Sequence, residues 1–275
     1  MSGRSALEHY KNGGAWWETE ISDIKKNEIV LRGKRVEDLI GNVSYSQMLY
    51  FLLVGKDLTE AQAALFESVL VAGADHGPRA PSIAAARMAA TCGVSFNSAI
   101  ATGINMLGDI HGGAVEGAME LLYKTKAELA INPNAVADNL QLFLSAGEKL
   151  PGFGHQLHDH DPRVNRLYEL SQQVINNGEI SGSYLTILES YREAISEQKK
   201  RTFTINVDGI SAAIQCELGI PAEAAKGVFA LSRGMGIVAH AYEELKQGTL
   251  IKGPCPNEAH LVRYTGEVPE NKSKE

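Results

Sequence analysis

Two glycines and two prolines crowd the stretch Pro151-Gly-Phe-Gly-His-Gln-Leu-His-Asp-His-Asp-Pro-Arg163, near the middle of a chain whose remaining residues follow helical spacing. Pro162 disfavours helical backbone at Asp161, so the next helix is expected to start beyond it, at Arg163. Gly152 and Gly154 permit turns and a close backbone approach, because no Cβ stands in the way. The chain must therefore place a loop between two helices here. Three of the eight histidines, His155, His158 and His160, fall on it within six positions. A loop carried by rigid helices is where polar groups usually meet a small ligand.

Around that break the periodicity predicts helices at 44–54, 60–73, 82–91, 97–107, 115–129, 136–146, 163–175, 183–200, 211–218 and 221–247. Gly55 ends the first, Thr59 caps the second and Pro81 opens the third. Asn132-Pro133-Asn134 and Asn176-Asn177-Gly178 act as breakers. Gly227, Gly234 and Gly236 weaken the last helix, so a break or a close approach is expected near Arg233. Only residues 28–40 carry a β signal, one short strand pair leading into a helix. The fold class read from this pattern is all-α.

The 275 residues suffice for one large domain or two modest ones. A net charge of −7 argues against general binding to nucleic acid or anionic membrane. No apolar run reaches spanning length, and the N-terminus lacks a signal-peptide core. Cys92, Cys216 and Cys255 are few and scattered, which fits reduced thiols in a cytoplasmic setting rather than disulfides or a cysteine zinc site. A metal cluster at His155, His158, His160 and Asp161 is disfavoured, since the spacing matches none of the usual zinc signatures. No phosphate-loop or dinucleotide fingerprint occurs.

Ionisable groups sit beside glycine at four joints: His76, His111, His155 and Asp208. Each has an ordinary structural reading as well. Asp208, for example, suits an N-cap for the helix that follows, and Arg163 and Arg233 suit surface ion pairs.

Taken together the joints are specific. Gly108-Asp-Ile-His111-Gly-Gly-Ala114, Pro151-Gly-Phe-Gly-His155 with Asp161-Pro-Arg163, and Asn206-Val-Asp208-Gly resemble the three active-site motifs of the citrate synthase superfamily, in order. Val30-Leu-Arg-Gly33, Ala74-Asp-His76-Gly and Leu231-Ser-Arg233-Gly-Met-Gly-Ile-Val-Ala-His240 are flanking matches. Asp75-His76-Gly-Pro78 and Ser232-Arg-Gly-Met-Gly236 resemble the citryl-CoA lyases and the lyase-like C-terminal module of ATP-citrate lyase.

The resemblance implies a large helical domain, 1–113 with 218–275, and a smaller inserted helical domain, 114–217. It implies a cytoplasmic homodimer acting on a coenzyme A thioester and a 2-oxo acid, with no bound cofactor or metal and no nucleic acid or membrane partner. His111, His155 and Asp208 take the catalytic roles, and His76, Arg163 and Arg233 bind substrate carboxylates. Cleavage of citryl-CoA to acetyl-CoA and oxaloacetate is the implied reaction. The alternatives are citrate or 2-methylcitrate synthesis and a non-catalytic binding subunit. Gln156, Asp159 and Gly253 depart from the pattern of many relatives, with Lys252 standing near where an arginine is usual.

Overall fold

The computed structural model describes residues 15–154, 161–256, 258 and 261–267. Among them are eleven α-helices and one small sheet, and the expected all-α class holds. The sheet has three antiparallel strands, β1 (Ser22–Lys25), β2 (Glu28–Leu31) and β3 (Lys34–Arg35), running into the short helix α1 (Val36–Leu39). Strand β1 lies outside the segment that carried the β signal. Three of its four residues are polar and its one apolar residue, Ile24, is exposed, so no apolar alternation marks it. Pairing with β2, Ser22 opposite Leu31 and Lys25 opposite Glu28, holds it instead.

Capping chemistry sets the next helices. Ser44 and Thr59 each accept the backbone N–H three residues on, while Gln47 and Gln62 bond back, so α2 (Tyr45–Val54) and α3 (Glu60–Gly73) both open on capping boxes. Gly55 closes α2 in the left-handed conformation. Then follow α4 (Pro81–Thr91), α5 (Phe96–Asn105), α6 (Ala114–Leu129), α7 (Ala135–Ser145), α8 (Pro162–Asn176), α9 (Ser183–Lys199), α10 (Val207–Glu217) and α11 (Ala225–Gln247). The weakening glycines of α11 do not break it. The close approach near Arg233 comes from the other partner, because a Cβ on Gly73 of α3 would lie 2.5 Å from Ser232 Oγ.

By internal packing the chain forms two compact units. The first takes residues up to Ala74 and Leu107–Arg233, the second Asp75–Met106 and the chain from Gly234 on. The expected small domain, 114–217, lies wholly within the first unit, because α10 inside it packs on α3 outside it. Helix α10 is the hub of that unit, touching α3, α6, α8 and α9. Ile210, Ala212, Ala213 and Ile214 are fully buried on it, so every face is covered. In the second unit α4 and α5 pack closely. A Cβ on Gly103 would stand 2.9 Å from Ser82 O and 3.0 Å from the Ala86 Cβ, which is why the alanine-rich α4 faces a glycine.

One backbone contact ties the central loop to α10. Phe153 bridges Ile205, Gly154 N donates to Thr204 O (2.9 Å) and Asn206 N donates to Gly152 O (3.0 Å). A Cβ on Gly209 would sit 2.4 Å from Gly152 O, and one on Gly152 would sit 2.8 Å from Gly209 Cα. Both neighbours are backbone and cannot step aside. Gly209→Ala is therefore expected to destabilise the fold by roughly 2–4 kcal/mol in urea unfolding. Gly227→Ala on α11, where the added Cβ meets nothing within 4 Å, serves as the control and is expected to be neutral or stabilising by up to about 1 kcal/mol.

Candidate active site

Asp208 lies in the first turn of α10. It is not the N-cap; that role falls to Asn206, whose Oδ1 accepts from the backbone N–H of Asp208 and Gly209, each at 3.0 Å. The helix therefore starts earlier than the expected 211. The Asn206 amide also donates to Gly154 O at 2.9 Å, adding a further bond between this turn and the central loop. The Asp208 carboxyl borders a narrow apolar crevice with Val69, Leu70, Val115, Val228 and Phe229. Burial pushes it above the usual carboxylate range. Arg163 and Arg233 pull the other way and Asp161 adds to the rise, and the net shift is upward.

The two arginines converge on one helix end. Arg163 is held by Asp161, a 6% exposed carboxylate that accepts Nε (2.9 Å), Nη2 (2.7 Å) and the Arg163 backbone N–H (3.0 Å). Its Nη1 donates to Ala72 O at 3.3 Å. Arg233, only 5% exposed, donates from Nε to Gly73 O at 2.9 Å, and its guanidinium lies 5.1 Å from the Phe229 ring centre. Ala72 and Gly73 are consecutive residues at the C-terminus of α3. Carbonyls at a helix C-terminus carry the negative end of its dipole, so that end attracts both cations.

His111 is half-buried in the tight loop between α5 and α6, where Gly108 N donates to His111 O at 2.9 Å. Gly112 follows at φ +94, and a Cβ there would come within 2.7 Å of the Phe229 ring. Gly113 is equally constrained, its imaginary Cβ falling 2.6 Å from Asp109 backbone. Outside the loop, Lys226 on α11 pairs with Asp109 (2.5 Å) and Glu116 (2.8 Å). Burial, and then the nearby Arg233 charge, hold His111 below the usual histidine range, which favours the neutral ring.

Four of the six expected site residues, His111, Arg163, Asp208 and Arg233, share one unit, with Arg233 acting on His111 and both arginines acting on Asp208. His155 lies outside the described residues, as do His158, His160, Gln156 and Asp159; the backbone leading to His155 is the segment tied to α10. His76 belongs to the second unit, half-buried in the turn after α3. Asp161, Asn206 and Phe229 were not assigned structural roles from sequence. Asp161 had a usable signal, an acidic residue directly before a helix-opening proline. Phe229 had none, since an apolar residue on an apolar helix face is indistinguishable from core. A neutral imidazole, a carboxyl of raised pKa and two guanidinia in one unit are a set able to move a proton at carbon and hold anionic oxygen.

The family model for the citrate synthase C-terminal domain matches residues 55–253. Citrate synthase of Haloferax volcanii is 30% identical over 230 residues, covering 82% of this chain and 56% of that protein. The chain spans about half the length of the curated relatives it matches. Among solved structures, the citryl-CoA lyase of Hydrogenobacter thermophilus superposes with a TM-score of 0.83 at 35% identity, covering 92% of this chain and 96% of that one. The ATP citrate lyase of Methanothrix soehngenii, solved in complex with citrate and coenzyme A, gives 0.78 at 21% identity, covering 99% of this chain and 46% of that one.

A raised carboxyl pKa has a consequence for stability. The native state binds the Asp208 proton more tightly than the unfolded chain does. The associated stability is present below the unfolded pKa and lost as pH rises through the folded one. Asp208→Asn removes that loss. Its melting temperature is expected to exceed the wild-type value at pH 8 and to converge with it toward pH 4, measured by calorimetry across that range.

Proposed function

This chain belongs to the citrate synthase family, and on that premise we propose that it is a carbon–carbon lyase cleaving citryl-CoA to acetyl-CoA and oxaloacetate. The observation that carries the reading is the convergence of Arg163 and Arg233 on the consecutive carbonyls of Ala72 and Gly73, which puts guanidinium charge near Asp208 and, from Arg233, near His111. The chemistry needs a base at the alcohol, a donor at the thioester oxygen as it becomes an enolate, and an acid for the methyl carbon. His155 takes the alcohol proton. The bond to the carbinol carbon then breaks, leaving the ketone of oxaloacetate and passing its electron pair to the acetyl-CoA enolate. His111, kept neutral by burial and by Arg233, donates its N–H to the enolate oxygen. Asp208, whose raised pKa keeps a protonated fraction closer to working pH, delivers the proton to carbon. Arg163, Arg233 and His76 bind the carboxylates of the oxaloacetate part, a task suited to planar guanidinia.

The likeness to citryl-CoA lyase along nearly the full length of both chains supports the lyase direction. Citrate or 2-methylcitrate synthesis is the second reading, favoured by the identity to the Haloferax synthase. Both need a coenzyme A thioester and a 2-oxo acid and neither needs a redox cofactor. Helices between residues 114 and 217 are proposed as the family's smaller domain, and shielding the site from water would protect the enolate.

A homodimer fits an exposed apolar stripe on α11, Met235, Val238, Tyr242 and Leu245, spaced by three and four residues like a helix–helix seam. No helix among the described residues is long and apolar enough to cross a membrane. Free thiols at exposed Cys92 and Cys255 accord with a cytoplasmic setting.

Products identified by mass from citryl-, methylcitryl- and malyl-CoA test the proposal. Acetyl-CoA and oxaloacetate from citryl-CoA, with the thioester retained, is the expected outcome. Free coenzyme A released from acetyl-CoA plus oxaloacetate marks a synthase instead, and no turnover of any thioester marks a binding subunit. Asp208→Asn is expected to lower turnover by roughly 10²-fold or more; undiminished turnover removes Asp208 from the mechanism.

A further inference from the structure

In the second unit a histidine that no role above uses is held between an arginine and a carboxylate. His240 lies on α11 with its side chain 19% exposed, Nε2 at 3.2 Å from Asp75 Oδ1 and Nδ1 at 3.0 Å from Arg87 Nη1. A guanidinium offers only donors, so Nδ1 has to accept. The ring proton therefore sits on Nε2 and is donated to Asp75. Arg87 is itself fixed, by Glu243 at 2.5 Å, by Glu244 at 2.5 Å and by Gln247 at 3.1 Å. The Glu244 side chain is fully buried, which anchors the chain of contacts in the unit's interior. Glu243 also stands 3.8 Å from Nδ1, and Lys252 lies 3.9 Å from Glu244.

The other end of this chain reaches the backbone around His76. The backbone N–H groups of Gly77 and His76 lie near enough to the Asp75 carboxylate to stabilise its charge. Burial raises the Asp75 pKa, but the Gly77 amide, His240 and the His76 amide outweigh it, and the carboxyl falls below its usual range. Asp75 is nearly half exposed, so few neighbours fix its rotamer. Without the His240 N–H, the carboxylate is free to turn toward water and release both amides. Gly77, at φ +71, marks a turn whose shape depends on such local bonds.

We infer that His240 is a positioning residue: by orienting Asp75 it fixes the backbone of the His76 turn, and so aims the imidazole assigned above to the substrate carboxylates. Its functional half rests on that assignment; its structural half does not. The test compares the full-length wild type with His240→Leu, His240→Gln and Asp75→Ala. Glutamine keeps an N–H for Asp75 and an acceptor for Arg87, whereas leucine keeps neither.

Amide hydrogen exchange is read first. His240→Leu and Asp75→Ala are expected to speed exchange at His76 and Gly77 roughly tenfold or more, with His240→Gln near wild type. Kinetics follow, with the KM for citryl-CoA expected to rise roughly tenfold in His240→Leu, kcat within about twofold, and the glutamine variant restoring KM. Unchanged exchange at both amides in folded His240→Leu overturns the inference. Should that variant not fold, unchanged exchange in Asp75→Ala does the same. Faster exchange with an unmoved KM, in an enzyme that does cleave citryl-CoA, overturns the functional half. A wild type inert toward every thioester defeats the proposed function instead, while exchange still decides whether His240 holds the turn.

Discussion

The contact on which the site depends is backbone against backbone, Gly152 on Gly209. Two segments more than fifty residues apart lie closer there than any side chain permits, and the bonds between 152–154 and 204–206 hold them in register. One segment leads to His155 and the other carries Asp208. Because α10 is buried on all faces, the contact cannot be relieved by sliding the helix. Core packing in the first unit and placement of the carboxyl are consequently the same problem, solved by one helix.

Electrostatics is layered on that frame. Two guanidinia share the consecutive C-terminal carbonyls of α3, and one of them is also neutralised by the buried Asp161. This arrangement keeps positive charge near Asp208 and His111. Burial then dominates at both groups, pushing the carboxyl up and the imidazole down. Shifts of opposite kind, from one environment, bring an acid and a neutral donor toward the same working pH.

Much of this was legible locally. Helix starts at Ser44, Thr59 and Pro81 follow from capping chemistry that acts within four residues, and the structure reproduces them. The start of α10 was misjudged because Asn206 and Asp208 are both good caps, and only the loop bonded to Asn206 decides between them. Strand β1 was invisible because its stability comes from a partner strand rather than from its own polar residues. The glycines of α11 suggested a break or a close approach near Arg233; no break occurs, since propensity costs of about 1 kcal/mol each are outweighed by packing along the helix, while α3 does approach closely at Ser232.

By itself, then, the sequence determined the helical class, the joints between helices and the residue types gathered at them, since capping, breaking and periodicity are short-range effects. Its motifs also singled out His76, His111, His155, Arg163, Asp208 and Arg233. Only the tertiary structure decided that Arg163 is clasped by Asp161, that the charge of Arg233 acts on both His111 and Asp208, and that His240 stands behind Asp75. Those relations join residues as much as 165 positions apart, Asp75 to His240, and depend on burial and direction, which no local spacing encodes.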